Sequence, residues 1–283
     1  MGFFKSLFGG QQENPEEQRQ EKEARDFDVL KFDGVKAMRI NQMEHAIRCF
    51  ETALTMKEDL EVRDYLSQAF IQNNQLSEAI EQLTVLLQAE PENADILMRM
   101  ANVCFMQEDY VRMGEVCEQA LQIDAHEPLA LMLLARALSG QERTDEAVEA
   151  LAKVVADNED SGEARLLRAN ILLKANRPDE AASDIDWLLE RAPEHEDVLL
   201  MKARLEHQKG KNDEALIYYN KVIDVNPFSA DAYRERADIR KEQGDEAGYE
   251  EDLQQALEIV PENAEEDIEQ KMQEMYRNSN PFG

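Results

Sequence analysis

From Phe27 to Pro261 short apolar stripes at helical spacing alternate with polar turns, and the stripes return at one interval. The segments SEAIEQL, DEAVEAL, DEAASDI and DEALIYY fall into a common register. Their alanines set the period. Ala46, Ala79, Ala147, Ala181 and Ala215 stand 33 or 34 residues apart, or twice that, with Met113 and Tyr249 in the two remaining places. Twelve residues ahead of each comes a small residue: Gly34, Ser67, Ala101, Ala135, Ala169, Ala203 and Ala237. A position that stays small in every period marks where two helices approach too closely for a larger side chain.

Two further columns lie three residues apart on one helical face. One reads Phe50, Leu83, Cys117, Leu151, Ile185, Tyr219 and Leu253, the other Ala53, Leu86, Ala120, Val154, Leu188, Val222 and Ala256. Pro91, Pro193, Pro227 and Pro261 follow that face and stop one helix before the next begins. Gly210, Gly244, Asn41 and Asn176 share the column of the turn between the helices of one unit. The pattern predicts seven helix pairs and no strands.

Period, small residue, alanine, large apolar residue and proline together resemble the tetratricopeptide repeat. The resemblance covers residues 27–261 and implies an all-α, right-handed superhelical solenoid of antiparallel helix pairs, with the first helices lining a concave groove. It implies a non-enzymatic protein-interaction scaffold. Met113 and Tyr249 depart from the small residue, which predicts helix pairs packed more loosely or at a shifted angle in the third and seventh repeats. Glu58, Ala125 and Glu159 replace the proline. Residues 262–283 read as a polar capping helix, with Ile268, Met272 and Met275 at helical spacing, and a short tail. Residues 1–26 read as an apolar stripe followed by a linker or frayed helix.

Charge narrows the choice of partner. Asp and Glu number 61 against 31 Lys and Arg, a net charge of −30. That field repels phosphate backbones, so nucleic acid is not expected as a partner. Cys49, Cys104 and Cys117 form no CxxC pair and no metal-ligand spacing, which predicts neither disulfide framework nor metal site and fits a reducing cytoplasm. No HExxH, GxGxxG or phosphate loop is present, and the four histidines stand apart from one another. Neither catalytic residues nor a cofactor are expected.

Candidate chemistry lies on the first helices. The column Val35, Gln68, Asn102, Arg136, Asn170, Arg204 and Asp238 alternates Asn and Arg in its middle four. Stacked repeats align such positions, so Asn102, Arg136, Asn170 and Arg204, with Arg99 beside them, make a row of donors for a peptide backbone or carboxylate. The competing reading pairs these arginines with acids of neighbouring repeats, such as Glu163, Asp197 and Asp231. A second column, Met98, Met132, Leu166 and Leu200, is either an adaptable groove wall or ordinary core. The chaperone-tail clamp known in the family is not matched: Lys31 is followed by Val35 rather than Asn, the next unit offers Tyr65, and the third Asp95 with Arg99. Phe3, Phe4, Leu7 and Phe8 form an apolar stripe opposite Lys5. It reads as a weak contact to a membrane, to a partner or to the array itself, and it motivates the alternative of a membrane-associated assembly factor. Self-association is a further expectation.

Overall fold

The computed structural model describes residues 15–260, so the apolar stripe Phe3–Phe8 and the expected capping helix lie outside the described residues. Among those residues fourteen α-helices follow one another without a strand. The contacts divide the chain into two compact units, Met1–Gln141 and Glu142–Gly283. The first holds α1 (Pro15–Arg39), α2 (Met43–Met56), α3 (Leu60–Gln72), α4 (Leu76–Ala89), α5 (Ala94–Met106), α6 (Tyr110–Ile123) and α7 (Pro128–Gly140). The second holds α8 (Thr144–Asp157), α9 (Gly162–Lys174), α10 (Pro178–Arg191), α11 (Glu196–Gln208), α12 (Asn212–Val225), α13 (Ala230–Glu242) and α14 (Glu246–Ile259).

The repeat columns explain the packing. All seven small residues from Gly34 to Ala237 are buried. A methyl group added at Gly34 would stand 2.4 Å from the Phe50 ring, so this repeat uses Gly where the others tolerate Ala or Ser. The alanines of the second column, and Met113 in their place, have no exposed surface. The looser packing expected at Met113 and Tyr249 is not seen: α5 with α6 and α13 with α14 are among the most extensively paired helices. Unbranched Met113 fits inside the pair. Tyr249 turns partly outward, beneath Lys241 Nζ at 4.8 Å from its ring centre.

Each turn within a helix pair has one residue at positive φ: Asn41, Asn74, Glu108, Glu142, Asn176, Gly210 and Gly244. The reversal lets a later amide reach back to an orphan carbonyl, as Gln75 N does to Phe70 O at 2.8 Å and Lys211 N to Glu206 O at 2.9 Å. Between repeats, side chains cap the next first helix. Asp59 accepts from Val62 N at 3.0 Å and Asn93 from Ile96 N at 3.3 Å.

Within the units, first helices of neighbouring repeats touch directly: α1 with α3, α5 with α7 and α9 with α11. α1 starts at Pro15, well ahead of the first repeat, and residues 16–26 are exposed. Proline at the start, Glu16 and Glu17 in the first turn and no breaker before Gly34 favour this extension.

The two cores differ in polarity. Apart from Ser67 the buried side chains of the first unit are apolar, whereas the second buries Asp184, Glu206, Ser229 and Asp252. Asp184 of α10 accepts from Arg168 at 2.6 and 2.7 Å and from Arg165 at 3.0 Å, both on α9. Two repeats later Asp252 of α14 takes the same place and receives Arg236 Nε at 2.8 Å, with Arg240 at 3.0 Å. Trp187 of α10 has two guanidiniums over its ring, Arg165 at 4.6 Å and Arg191 at 3.8 Å from the centre.

Candidate partner-binding face

The donor row predicted on the first helices divides between the two units, with Asn102 and Arg136 on α5 and α7 and Asn170 and Arg204 on α9 and α11. Its members differ in how free they are. Arg204 is held by Glu235 of the next repeat through bonds of 2.6 to 3.0 Å, with Asp231 at 3.8 Å. Tyr219 donates to the same Glu235 at 2.8 Å, which leaves the guanidinium tied into an inter-repeat network. The bond to Glu235 raises the Arg204 pKa, and burial pushes the Tyr219 hydroxyl up.

Arg99 is similarly engaged. It pairs with Asp64 of the preceding repeat and donates to Ser67 Oγ at 3.3 Å. Asn102 Nδ2 donates to the Met98 carbonyl at 2.9 Å, one turn back on its own helix. Asn170 is half-buried and makes no side-chain hydrogen bond among the described residues.

Arg136 has no ion pair among the described residues. It is exposed, and its guanidinium carbon lies 5.9 Å from the centre of the Phe105 ring on the adjacent first helix. Phe105 is itself 40% exposed and meets Tyr110 edge-on at 6.4 Å. Met106 and Leu129 are exposed nearby in sequence on the same two helices. Of the predicted wall, Met98, Met132 and Leu166 are half-buried, while Leu200 is buried in the core with Ala203, Tyr219 and Val222. Met98 packs against the core of the first unit and Leu166 against that of the second, in which Leu200 also serves.

Sequence reasoning missed Phe105. Its signal is its place three residues after Asn102, a column filled by Met38 and Ile71 in the earlier repeats, which continues the apolar row along the first helices. Lys31, at the N-terminal end, is bound by Glu61 at 2.5 Å with Asp59 at 3.7 Å. The Glu61 bond raises the lysine pKa, and the same bond holds Glu61 below the usual carboxylate range. Burial pushes the Cys104 thiol up to about 11 and the Cys117 thiol up to about 12, which makes both poor nucleophiles at neutral pH. Among the described residues no group of three or more His, Cys, Asp or Glu is placed to hold a metal, and no helix is long and apolar enough to cross a membrane.

A tetratricopeptide repeat model matches residues 66–128, 132–186, 166–224 and 200–264, which is more than half of the chain. The chain belongs to the tetratricopeptide repeat family. The matches to this tetratricopeptide repeat protein begin at residue 66, after the α1–α2 pair and its Gly34–Phe50 contact.

Similar solved structures are of the same kind. A tetratricopeptide repeat protein from Parabacteroides merdae ATCC 43184 superimposes with a TM-score of 0.73 at 18% identity, over 84% of this chain and 94% of that one. PilW, described as a widely conserved type IV pilus biogenesis factor, gives 0.62 at 18% identity, over 74% and 97%. The MamA protein gives 0.53 at 17% identity, over 61% and 94%. At these identities the likeness is one of fold. No curated protein matches the sequence. Tetratricopeptide repeat proteins are in general non-enzymatic scaffolds that bind proteins or peptides, and the fold of this chain is that of such a scaffold.

Proposed function

We propose that the chain holds an extended segment of another protein against the first helices α5 and α7, with Met98, Phe105 and Met132 as apolar wall and Arg136 as the charged anchor. The observation that carries this reading is the contrast among the cations of the row. Arg99 and Arg204 are neutralised by acids of neighbouring repeats, while Arg136 stands exposed over an exposed aromatic ring. In a chain of net charge −30 an unpaired guanidinium over an apolar floor is a local inversion of sign. It suits an apolar segment that carries a carboxylate, which a planar fork can receive at two oxygens.

Asn102 flanks this anchor and becomes a backbone partner once its bond to Met98 opens. Affinity capture from the native cell, repeated with Arg136→Ala and Phe105→Ala, tests the assignment. Each substitution should lower capture of the main partner at least tenfold while leaving the helical circular dichroism unchanged. Undiminished capture by both variants would sink it. Arg204→Ala serves as the comparison, because its loss should appear first as lower stability through Glu235 and Tyr219.

A further inference from the structure

In every repeat after the first, two columns of the first helix are buried: one runs from Val62 to Ala232, the other from Ala69 to Ile239. Each of these helices packs against the second helix of the repeat before it, from α3 on α2 to α13 on α12. Among the described residues no helix precedes α1. There the same columns hold Val29, 52% exposed, and Lys36, also exposed, with Phe32 between them at 68%.

The open face continues along the helix. Lys22, Arg25, Val29, Phe32, Lys36 and Arg39 follow at alternating steps of three and four, which makes one narrow seam of the kind a second helix packs along. The acids of α1 all fall off it. Elsewhere on α1, Arg19 is paired with Glu23 at 2.9 Å and Lys31 with Glu61 at 2.5 Å. Lys22, Arg25, Lys36 and Arg39 are exposed and have no ion pair among the described residues. Beside the seam a hollow of about 340 Å³, lined by Phe32, Val35, Lys36 and Tyr65, leaves room for a large apolar side chain.

We propose that this seam is the docking site of an acidic amphipathic helix from another protein, which packs on α1 as the second helix of a preceding repeat packs on every later first helix. Its apolar side chains meet Val29 and Phe32, and its carboxylates lie opposite Lys22, Arg25, Lys36 and Arg39. Charge selects this occupant. Four unpaired cations on a seam without acids stand in a chain of net charge −30, so this face attracts an acidic helix that the rest of the surface repels. A second copy meeting the same seam sets cation against cation. A bilayer fits neither in area nor in field: two exposed apolar side chains bury too little for anchoring, and the acidic chain is repelled by anionic lipid. The seam is separate from the α5–α7 face.

Fluorescence anisotropy of a labelled synthetic helix, titrated with the full chain, tests the assignment. The probe is about five turns long, with Leu to meet Val29 and Phe32 and Glu at its remaining seam positions, and its twin carries Lys for each Glu. The Glu helix should bind, more weakly as salt rises, and the Lys helix roughly tenfold less tightly or worse. Phe32→Asp, at an exposed position that leaves the circular dichroism unchanged, should weaken the Glu helix by a similar factor. Arg25→Glu combined with Lys36→Glu should reverse the preference between the two helices, and Arg136→Ala should leave it as it was. No binding of the Glu helix, equal binding of both helices, or a preference that survives the charge reversal overturns the proposal. Loss of binding in Arg136→Ala moves the probe to the α5–α7 face and overturns it too. Flotation of the full chain with phosphatidylserine vesicles, abolished by Arg25→Glu with Lys36→Glu, would assign the seam to lipid and overturn it as well.

Discussion

Glu108 and Glu142 sit at positive φ, 57° and 62°, in a column where two other repeats have glycine. A left-handed conformation brings Cβ against the following carbonyl and costs an ordinary side chain about 1 kcal/mol, whereas glycine adopts it freely. Glu108→Gly should accordingly raise stability by about 1 kcal/mol, read as a rise of about 2 °C in the melting temperature. Gly210→Ala should lower it by a similar amount, although nothing lies within 4 Å to obstruct the methyl. At this scale the small and alanine columns are legible in the sequence, because close helix contact admits few side chains and self-similarity exposes the restriction. The turn at Asn41, Asn176, Gly210 and Gly244 is legible for the same reason. That Glu108 and Glu142 share the conformation is not, since glutamate has no preference for it and only the register of the helices enforces it.

Helix pairs add what single columns do not show. Asp184 and Asp252 occupy equivalent places two repeats apart, each facing arginines across the α9–α10 or α13–α14 contact. The sequence contains the hint, an Arg and an Asp sixteen residues apart in both repeats, but buried ion pairs depend on side-chain reach across an interface rather than on periodicity. Asp184→Ala leaves Arg165 and Arg168 without their acid inside the pair and should cost about 3 kcal/mol in urea unfolding. Replacing Arg168 and Asp184 together by Leu should recover most of that loss, because the desolvated charges go together. The same limit governs the candidate site: the row of Asn and Arg could be read from sequence. Which arginines are engaged, Arg99 and Arg204, and which is free, Arg136, follows from acids on the next helix over.

Over the whole molecule the two units differ in how they meet acid. Relief of the net charge of −30 acts on both, and the lowered carboxylates of the first unit, Glu58 and Glu61, stand in solvent where screening blunts their effect. Glu206 of the second unit is buried. Burial pushes its pKa up, but bonds from Lys202 and Lys211 outweigh it and hold the carboxyl below its ordinary value of 4.5. Above that value folded and unfolded chains are both ionised and the contribution to stability is complete. As pH falls below it the unfolded chain takes up a proton that the folded one refuses, and the contribution disappears through the folded pKa. Trp187, in contact with Arg165 and Arg191, is the sole tryptophan of the chain, so its emission reports the second unit alone, while circular dichroism sums helices from both. On going from about pH 6 to about pH 4 the emission midpoint should fall to lower urea faster than the dichroic one, and Glu206→Gln should close much of the gap. Coincident midpoints at every pH would mean that the array melts as one cooperative body; the cation-stacked indole thus turns an ordinary spectrometer into a half-specific gauge of a repeat protein.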